Sequence, residues 1–447
     1  MRATSSIIDD LDLSKNDLDL FTICANKGAY ALGALVTGFT ANCLCGRRYF
    51  LGVGGAIYLV GALLVALSDN YGASMFGRTM TGFGVGMGLL IGPIFIAETA
   101  PSTTRGYHGT IPQVLMAAGT MSAYAVESAL VWAPQHIAWR VTVGLTTLPT
   151  VAFVYYTLAR LAHDTPCWHM MCGQVSLAEE VMERCGADGT EPYHRREQLQ
   201  HVAGFALHSI VDRRRVELFP RRIPGFWSQA FERCRPLIRD LFTTMGLLVA
   251  QEATCEQLTL VRFVPLILLR NGLTSRLWSA LGGVMLAVIK LLSTLAAMEA
   301  AGWSMAGRKR LLLVSFGVVG CAMGFLCGTS FADSRERIVG GTAFALSCFG
   351  LVILEAGMAF GLGPIPWMYG PEMFPLAVRA PSLGVCLAFR FAIGILLEMT
   401  LPLLYSSFER IWLRFLFGCG AAVVGFSLSC RFVRETTGGV LADDPVD

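Results

Sequence analysis

The chain has 447 residues, 54% of them hydrophobic and only 15% charged, with a formal net charge of +3. A mean hydropathy of +0.56 is far above that of soluble domains, and the net charge is too small to imply nucleic-acid binding, so no nucleic-acid partner is expected. The 14 cysteines are scattered, many inside apolar stretches, so they read as small helix-packing residues; neither a disulfide framework nor a metal or other cofactor is expected.

Residues 1–24, of which 1–19 are rich in Ser and Asp, have no basic region leading into a short apolar core, so they are not read as a secretory signal. They are read as an outer-side segment. Stretches of about 20 apolar residues, enough to cross roughly 30 Å of hydrocarbon as helices, then recur at 25–45, 49–68, 73–98, 110–133 and 140–162. A polar segment over 163–239, with Arg195-Arg196, Arg213-Arg214-Arg215 and Arg221-Arg222, is read as a central loop carrying short amphipathic helices. Six more spans follow at 240–268, 276–301, 311–331, 340–367, 382–405 and 411–431, before a tail over 434–447. The expected fold is therefore all-α and multi-pass, with a five-helix bundle over 25–162 and a six-helix bundle over 240–433. Basic loops stay cytoplasmic, which puts the central loop, Arg47-Arg48, Arg105, Arg308-Lys309-Arg310 and Arg379 on one face, with the tail. The glycines of Gly82-Phe83-Gly84-Val85-Gly86-Met87-Gly88 lie within an apolar span. They suit close helix approach rather than a phosphate cradle, which needs a preceding strand.

One pattern occurs twice. An apolar span ends in Gly46-Arg47-Arg48, and two spans later comes Glu98-x6-Arg105 with Pro101 inside it. Downstream, Gly307-Arg308-Lys309-Arg310 is followed after two spans by Glu372-x6-Arg379 with Pro375 inside it. Asp164-Thr165-Pro166 closes the first half and Glu435-Thr436-Thr437-Gly438 the second. Repetition at this scale in a membrane chain predicts two parallel bundles facing one another across a central site.

Gly77-Arg78-x3-Gly82-x-Gly84-x-Gly86, Pro93-x4-Glu98-x2-Pro101-x3-Arg105-Gly106, Trp139-Arg140, Gly363-Pro364-Ile365-Pro366-Trp367 and Glu372-x-Phe374-Pro375-x3-Arg379 together resemble the sugar porter family of the major facilitator superfamily, including its plant monosaccharide and polyol branches. The likeness runs over nearly the whole chain. It implies alternating access by two helical bundles with substrate near the midplane. There are departures. The family's first helix and its acidic residue have no counterpart, and residues 1–24 match the outer loop after it. In the basic motif Gly-Arg-x-x-Asp-x-x-Gly-Arg-Arg the first three marked positions hold Phe39, Thr40 and Cys43, and the equivalent acidic position of the second half holds Ser304. Only Asp164-Thr165-Pro166-Cys167-Trp168 is left of the motif after the sixth family helix. Charges at the inner face are therefore expected to lack partners.

The resemblance assigns substrate contacts to Gln113, to Gln251 and Glu252 where the seventh family helix carries paired glutamines, to nearby Gln257, and to Trp367 after the helix break. Amides suit hydroxyls and an aromatic ring suits a sugar face. The alternatives are helix-packing amides and an interfacial tryptophan. Charged residues inside spans must pair or face a cavity. Arg78 matches an arginine that answers the absent acid, and Glu127 and Glu355 are the carboxylates able to carry a proton in its place, or else to pair with Lys290 or Arg78. Glu98 with Arg105, and Glu372 with Arg379, resemble paired cytoplasmic latches between the bundles, with interfacial anchoring the alternative.

The implied function is carriage of a monosaccharide or polyol by proton symport. Its partners are the solute, protons and the lipid bilayer, with the plasma membrane as the first location and vacuolar or plastid membranes as alternatives. No nucleophile, base and oxyanion donor form a recognisable motif, so no enzyme is expected. The competing reading is a transport-inactive, truncated relative acting as a sensor or regulatory partner.

Overall fold

Long apolar helices dominate the computed structural model, which describes residues 15–42, 46–101, 104–185, 226–254, 276–302, 307–334, 340–404 and 411–435. The first half builds α1 (Lys15–Thr40), α2 (Gly46–Ala66), α3 (Tyr71–Thr99) and α4 (Arg105–Ala129). Next come α5 (Gln135–Leu145), α6 (Thr147–Tyr155) and a π-helical turn (Tyr156–Arg160), then the short α7 (Pro166–Met171) and α8 (Val175–Cys185). The second half contains α9 (Phe226–Ala253), α10 (Arg276–Gly302), α11 (Arg308–Ser334) and α12 (Gly340–Gly357). A π-helical turn (Met358–Leu362), α13 (Ile365–Met373), α14 (Leu376–Leu404) and α15 (Ile411–Phe432) complete it. Among the described residues, eight helices or continuous helical runs are long and apolar enough to cross a membrane. Helices α1, α4 and α9 have similar lengths but carry more polar residues. The fold is all-α among the described residues.

Two helices begin well before the expected spans. Helix α1 starts at Lys15, inside the segment read as an outer loop, and α9 starts at Phe226, inside the expected central loop. Apolar periodicity detects only the part of a helix that meets hydrocarbon, whereas backbone hydrogen bonding continues past the membrane surface. The expected span over 140–162 is broken between α5 and α6. Pro149 has no N–H for the Leu145 carbonyl, and the hydroxyls of Thr146 and Thr147 donate back to the carbonyls of Val143 and Gly144 at 2.7 and 2.6 Å.

Glycines set how closely the helices approach. A Cβ on Gly61 of α2 would lie 2.7 Å from the carbonyl oxygen of Gly77 on α3, and one on Gly77 would lie 2.9 Å from that of Gly61. On the other face of α3, Gly82 abuts the Asn26 carbonyl of α1 at 3.0 Å. The glycine run thus packs α3 between α1 and α2 at backbone distance. Two further seams join the halves. In the first, Gly38 of α1 faces the Ala380 carbonyl of α14, and Gly384 of α14 faces the Ala34 carbonyl, each at 2.9 Å from the added Cβ. In the second, α4 packs on α10, where Gly283 receives the ring of Tyr124. One apolar core joins the halves through Leu90, Ile91 and Ile94 of α3 with Phe374, Ala380 and Leu387. Another lies within the second half, around Leu312, Phe316, Val319 and Phe415.

Replacing Gly61 by Val should destabilise the protein by about 1–3 kcal/mol, the usual cost of overpacking a filled interface. Thermal unfolding of the detergent-purified variant should show a lowered midpoint. An unchanged midpoint would contradict the close α2–α3 contact.

Candidate functional site

The repeated motifs meet at one end of the helices. Gly46 and Gly307 have φ of +75° and +63°, a left-handed conformation that glycine adopts without a Cβ penalty. Each allows a sharp entry into the following helix, α2 or α11, whose first N–H groups have no helical partner. Asp164 accepts from the backbone N–H groups of Arg47 and Arg48 at 3.1 and 2.9 Å and from Thr165 at 2.7 Å. Glu435 does the same for Arg308 and Lys309 at 2.8 and 3.2 Å. The third repeated element is therefore an anionic cap on a helix N-terminus. Burial pushes the Asp164 carboxyl up, against the pull of these backbone donors and of Arg47. The second basic residue of each motif turns the other way. Arg48 donates to the carbonyls of Thr157, Leu158 and Ala162, and Lys309 to that of Cys430, each closing the end of the last membrane helix of its half.

The glutamates of the two motifs pair crosswise. Glu98 Oε1 lies 3.3 Å from Arg47 Nη2 of its own half and 3.2 Å from Arg379 Nη1 of the other, and all three side chains are fully buried. The Thr165 hydroxyl donates to the second Glu98 oxygen at 2.6 Å. Glu372 pairs with Arg308 of its own half, and it is the chief carboxylate acting on Arg105 from the other. Two expectations are corrected here. The partners are not the glutamate and arginine of one motif, and Arg47 and Arg308 do not lack counter-charges. The lost motif aspartates are replaced in that role by Glu98 and Glu372, which already project into the same buried layer.

Farther along the helices, a cavity of about 270 Å³ lies between the halves, walled by α1, α3, α4, α9, α10, α13 and α14. Gln113, Gln251, Glu252 and Trp367 all line it; Gln257 lies outside the described residues. The break before α13 follows from Pro364 and Pro366, which supply no N–H. Ser315 bridges the π turn, donating to the Gly357 carbonyl at 2.6 Å and accepting from Leu362 N–H at 2.8 Å. Gln251 donates through Nε2 to the Gly363 carbonyl at 3.2 Å, while its Oε1 has no partner among the described residues. Gln113 reaches the same point: a Cβ on Gly363 would lie 2.9 Å from its Nε2.

An ion cluster fills one side of the cavity. Lys27 Nζ lies 2.5 Å from Glu252 and 3.0 Å from Glu398. Arg390 donates through Nε and Nη2 to Glu252 Oε2, each at 3.1 Å, and its guanidinium lies 4.6 Å from the Trp367 ring centre. Gly394 leaves room for this group, since a Cβ there would lie 2.6 Å from Glu252 Oε1. Sequence reasoning missed Lys27, although its position two residues inside the apolar span at 25–45 was a signal. Arg78 has Tyr30 and Tyr71 as its electrostatic neighbours and forms no salt bridge among the described residues. Glu127 and Glu355 stand off the cavity wall, and with Lys290 they act on Tyr124 in the α4–α10 seam.

A family model described as "Sugar (and other) transporter" matches residues 8–443. Polyol transporter 5 of Arabidopsis thaliana is 30% identical over 439 residues, covering 97% of this chain and 79% of that protein. Myo-inositol transporter 1 of Saccharomyces cerevisiae is 28% identical over 398 residues, covering 83% and 62%. The fold matches the proton:xylose symporter XylE bound to 6-bromo-6-deoxy-D-glucose with a TM-score of 0.81 at 18% identity, over 99% of this chain and 93% of that one. Against the inward-open form of XylE from E. coli the TM-score is 0.67, at 17% identity and over 99% and 93% of the chains.

Arg379→Ala should loosen the contact between α3 and α14 at the basic end. It removes one hydrogen bond to a charged group, worth about 1.5–3 kcal/mol, while Glu98 keeps Arg47 and Thr165. Spin labels on the two helix ends should report a longer distance or a broadened distribution. A distribution identical to that of the parent protein would show that Arg379 does not hold the halves together.

Proposed function

The chain belongs to the sugar transporter family, within the sugar porters of the major facilitator superfamily, and from that premise we propose that it carries a monosaccharide or polyol by alternating access coupled to protons. The multi-pass helices place the protein in a membrane. The two bundles, from α1 to the π turn at Arg160 and from α9 to α15, rock about the cavity between them, and the basic end with the central loop and tail faces the cytoplasm.

The observation that carries this reading is the Gln251 amide, which lines the cavity beside Gln113 with one atom bonded to backbone and the other without a partner among the described residues. A buried acceptor left open is costly, and a solute hydroxyl, both donor and acceptor, answers it. The cavity volume suits a small solute. Relatives named as polyol and inositol transporters support a polyhydroxylated substrate. Coupling to protons is supported by carboxylates that meet the cavity inside the membrane, Glu252 and Glu398. These stand ahead of Glu127 and Glu355 as proton carriers because those two do not reach the cavity wall.

Uptake of radiolabelled sorbitol and glucose by transporter-deficient cells tests the reading. Accumulation should rise at acidic external pH and collapse when a protonophore is added. Gln251→Ala should weaken apparent affinity several-fold, in line with about 0.5–1.5 kcal/mol for one neutral hydrogen bond. No uptake by correctly inserted protein would favour the transport-inactive alternative, and unchanged uptake by the variant would remove Gln251 from the site.

A further inference from the structure

Trp367 is the residue that the family resemblance offers as a stacking surface for a sugar ring. In this chain that ring is already engaged. It packs on the apolar core that joins the halves, and the Arg390 guanidinium lies over the ring, 4.6 Å from its centre. Both residues line the cavity, so the indole face that the cation covers is closed to stacking by a solute. Arg390 is not a loose surface side chain. It is 9% exposed, and two of its nitrogens donate to the same oxygen of Glu252. The other Glu252 oxygen is held by Lys27, which also binds Glu398. Swinging Arg390 away would leave a buried carboxylate short of a partner, which is costly.

We infer that Arg390 is the specificity-determining residue of the cavity, and that it selects acyclic polyhydroxylated solutes over pyranoses. This rests on the carrier reading above. A pyranose presents a face of C–H groups that gains from stacking on a bare aromatic ring, and here that surface is covered by a cation. An acyclic alditol has no such face to satisfy and presents hydroxyls along a flexible chain. Two groups on the cavity wall suit those hydroxyls: the Gln251 Oε1 acceptor and the Arg390 Nη1 donor, neither with a partner among the described residues. The charges argue against an acidic sugar. Lys27 and Arg390 are matched by Glu252 and Glu398, so the cluster is neutral without a ligand. Lys290, on another wall, acts on Tyr124 together with the carboxylates of Glu127 and Glu355.

The test is isothermal titration of the purified full chain with sorbitol, glucose and gluconate, for the parent protein, Arg390→Gln, and the double variant Arg390→Gln/Glu252→Gln. The parent should bind sorbitol most tightly. Uncovering Trp367 should lower the sorbitol-to-glucose preference roughly two- to tenfold, the range expected for one aromatic stacking contact. The double variant leaves no buried carboxylate short of a partner beside Lys27, and it carries the comparison if the single variant does not fold. A parent that prefers glucose or gluconate overturns this inference and leaves the carrier reading standing, as does a preference unchanged in a folded variant. A parent that binds none of the three overturns both.

Discussion

A guanidinium buried among membrane helices keeps its proton. Arg47 and Arg379 are fully buried at the basic end and Arg308 nearly so, and each must be met by negative charge or oxygen. Glu98 and Glu372 meet this need, and their positions fix where the C-terminal end of α3 and the end of α13 come to rest. The same end is stiffened by Asp164 and Glu435, which cap the helices that follow Gly46 and Gly307. The repeated motif is thus one mechanical part built twice: a glycine for the turn, a basic pair for the layer and for the neighbouring helix end, and an acid brought back from the end of each half.

Glycine seams set the register of the helices on this platform, and polarity decides which helices wall the cavity. Helices α1, α4 and α9, too polar to count among the most apolar spans, contribute Lys27, Gln113, Gln251 and Glu252 to it. In lipid those groups would be expensive. Between the halves Lys27 and Glu252 pair with one another, Glu252 also pairs with Arg390, and Gln251 bonds to the carbonyl released at the Gly363 break. The polar groups of the cavity and the packing of the halves are therefore satisfied by the same contacts.

Much of this was legible in the sequence because the signals are periodic or repeated. Apolar length gave the spans, and the doubled motif indicated two facing halves. Gln113, Gln251, Glu252 and Trp367 were each marked by position in the family pattern, and they share one cavity. Other features were hidden for physical reasons. Which glutamate meets which arginine depends on helix-end geometry across the halves, so the crossed pairing of Glu98 with Arg379 has no local signature. Lys27 sits at the margin of an apolar stretch, where a long amphipathic side chain usually reads as reaching for the interface. The stacking of Arg390 on Trp367 joins residues of α13 and α14 that no spacing rule connects. The polar starts of α1 and α9 escaped because hydropathy reports solvent and not backbone hydrogen bonding.

The sharing of Glu98 has a consequence for motion. Its carboxylate holds one arginine from its own half and one from the other, and Thr165 of its own half besides. In the alternating-access cycle proposed above, separation of the halves at this end leaves Glu98 neutralised where it is, and Glu372 likewise keeps Arg308. Only arginines change surroundings, and a guanidinium is the more weakly hydrated kind of cation, at ease both in a buried pair and in water. The acids behave as fixed sockets and the arginines as plugs. The proposed cycle between open and closed therefore never has to strand a negative charge in hydrocarbon.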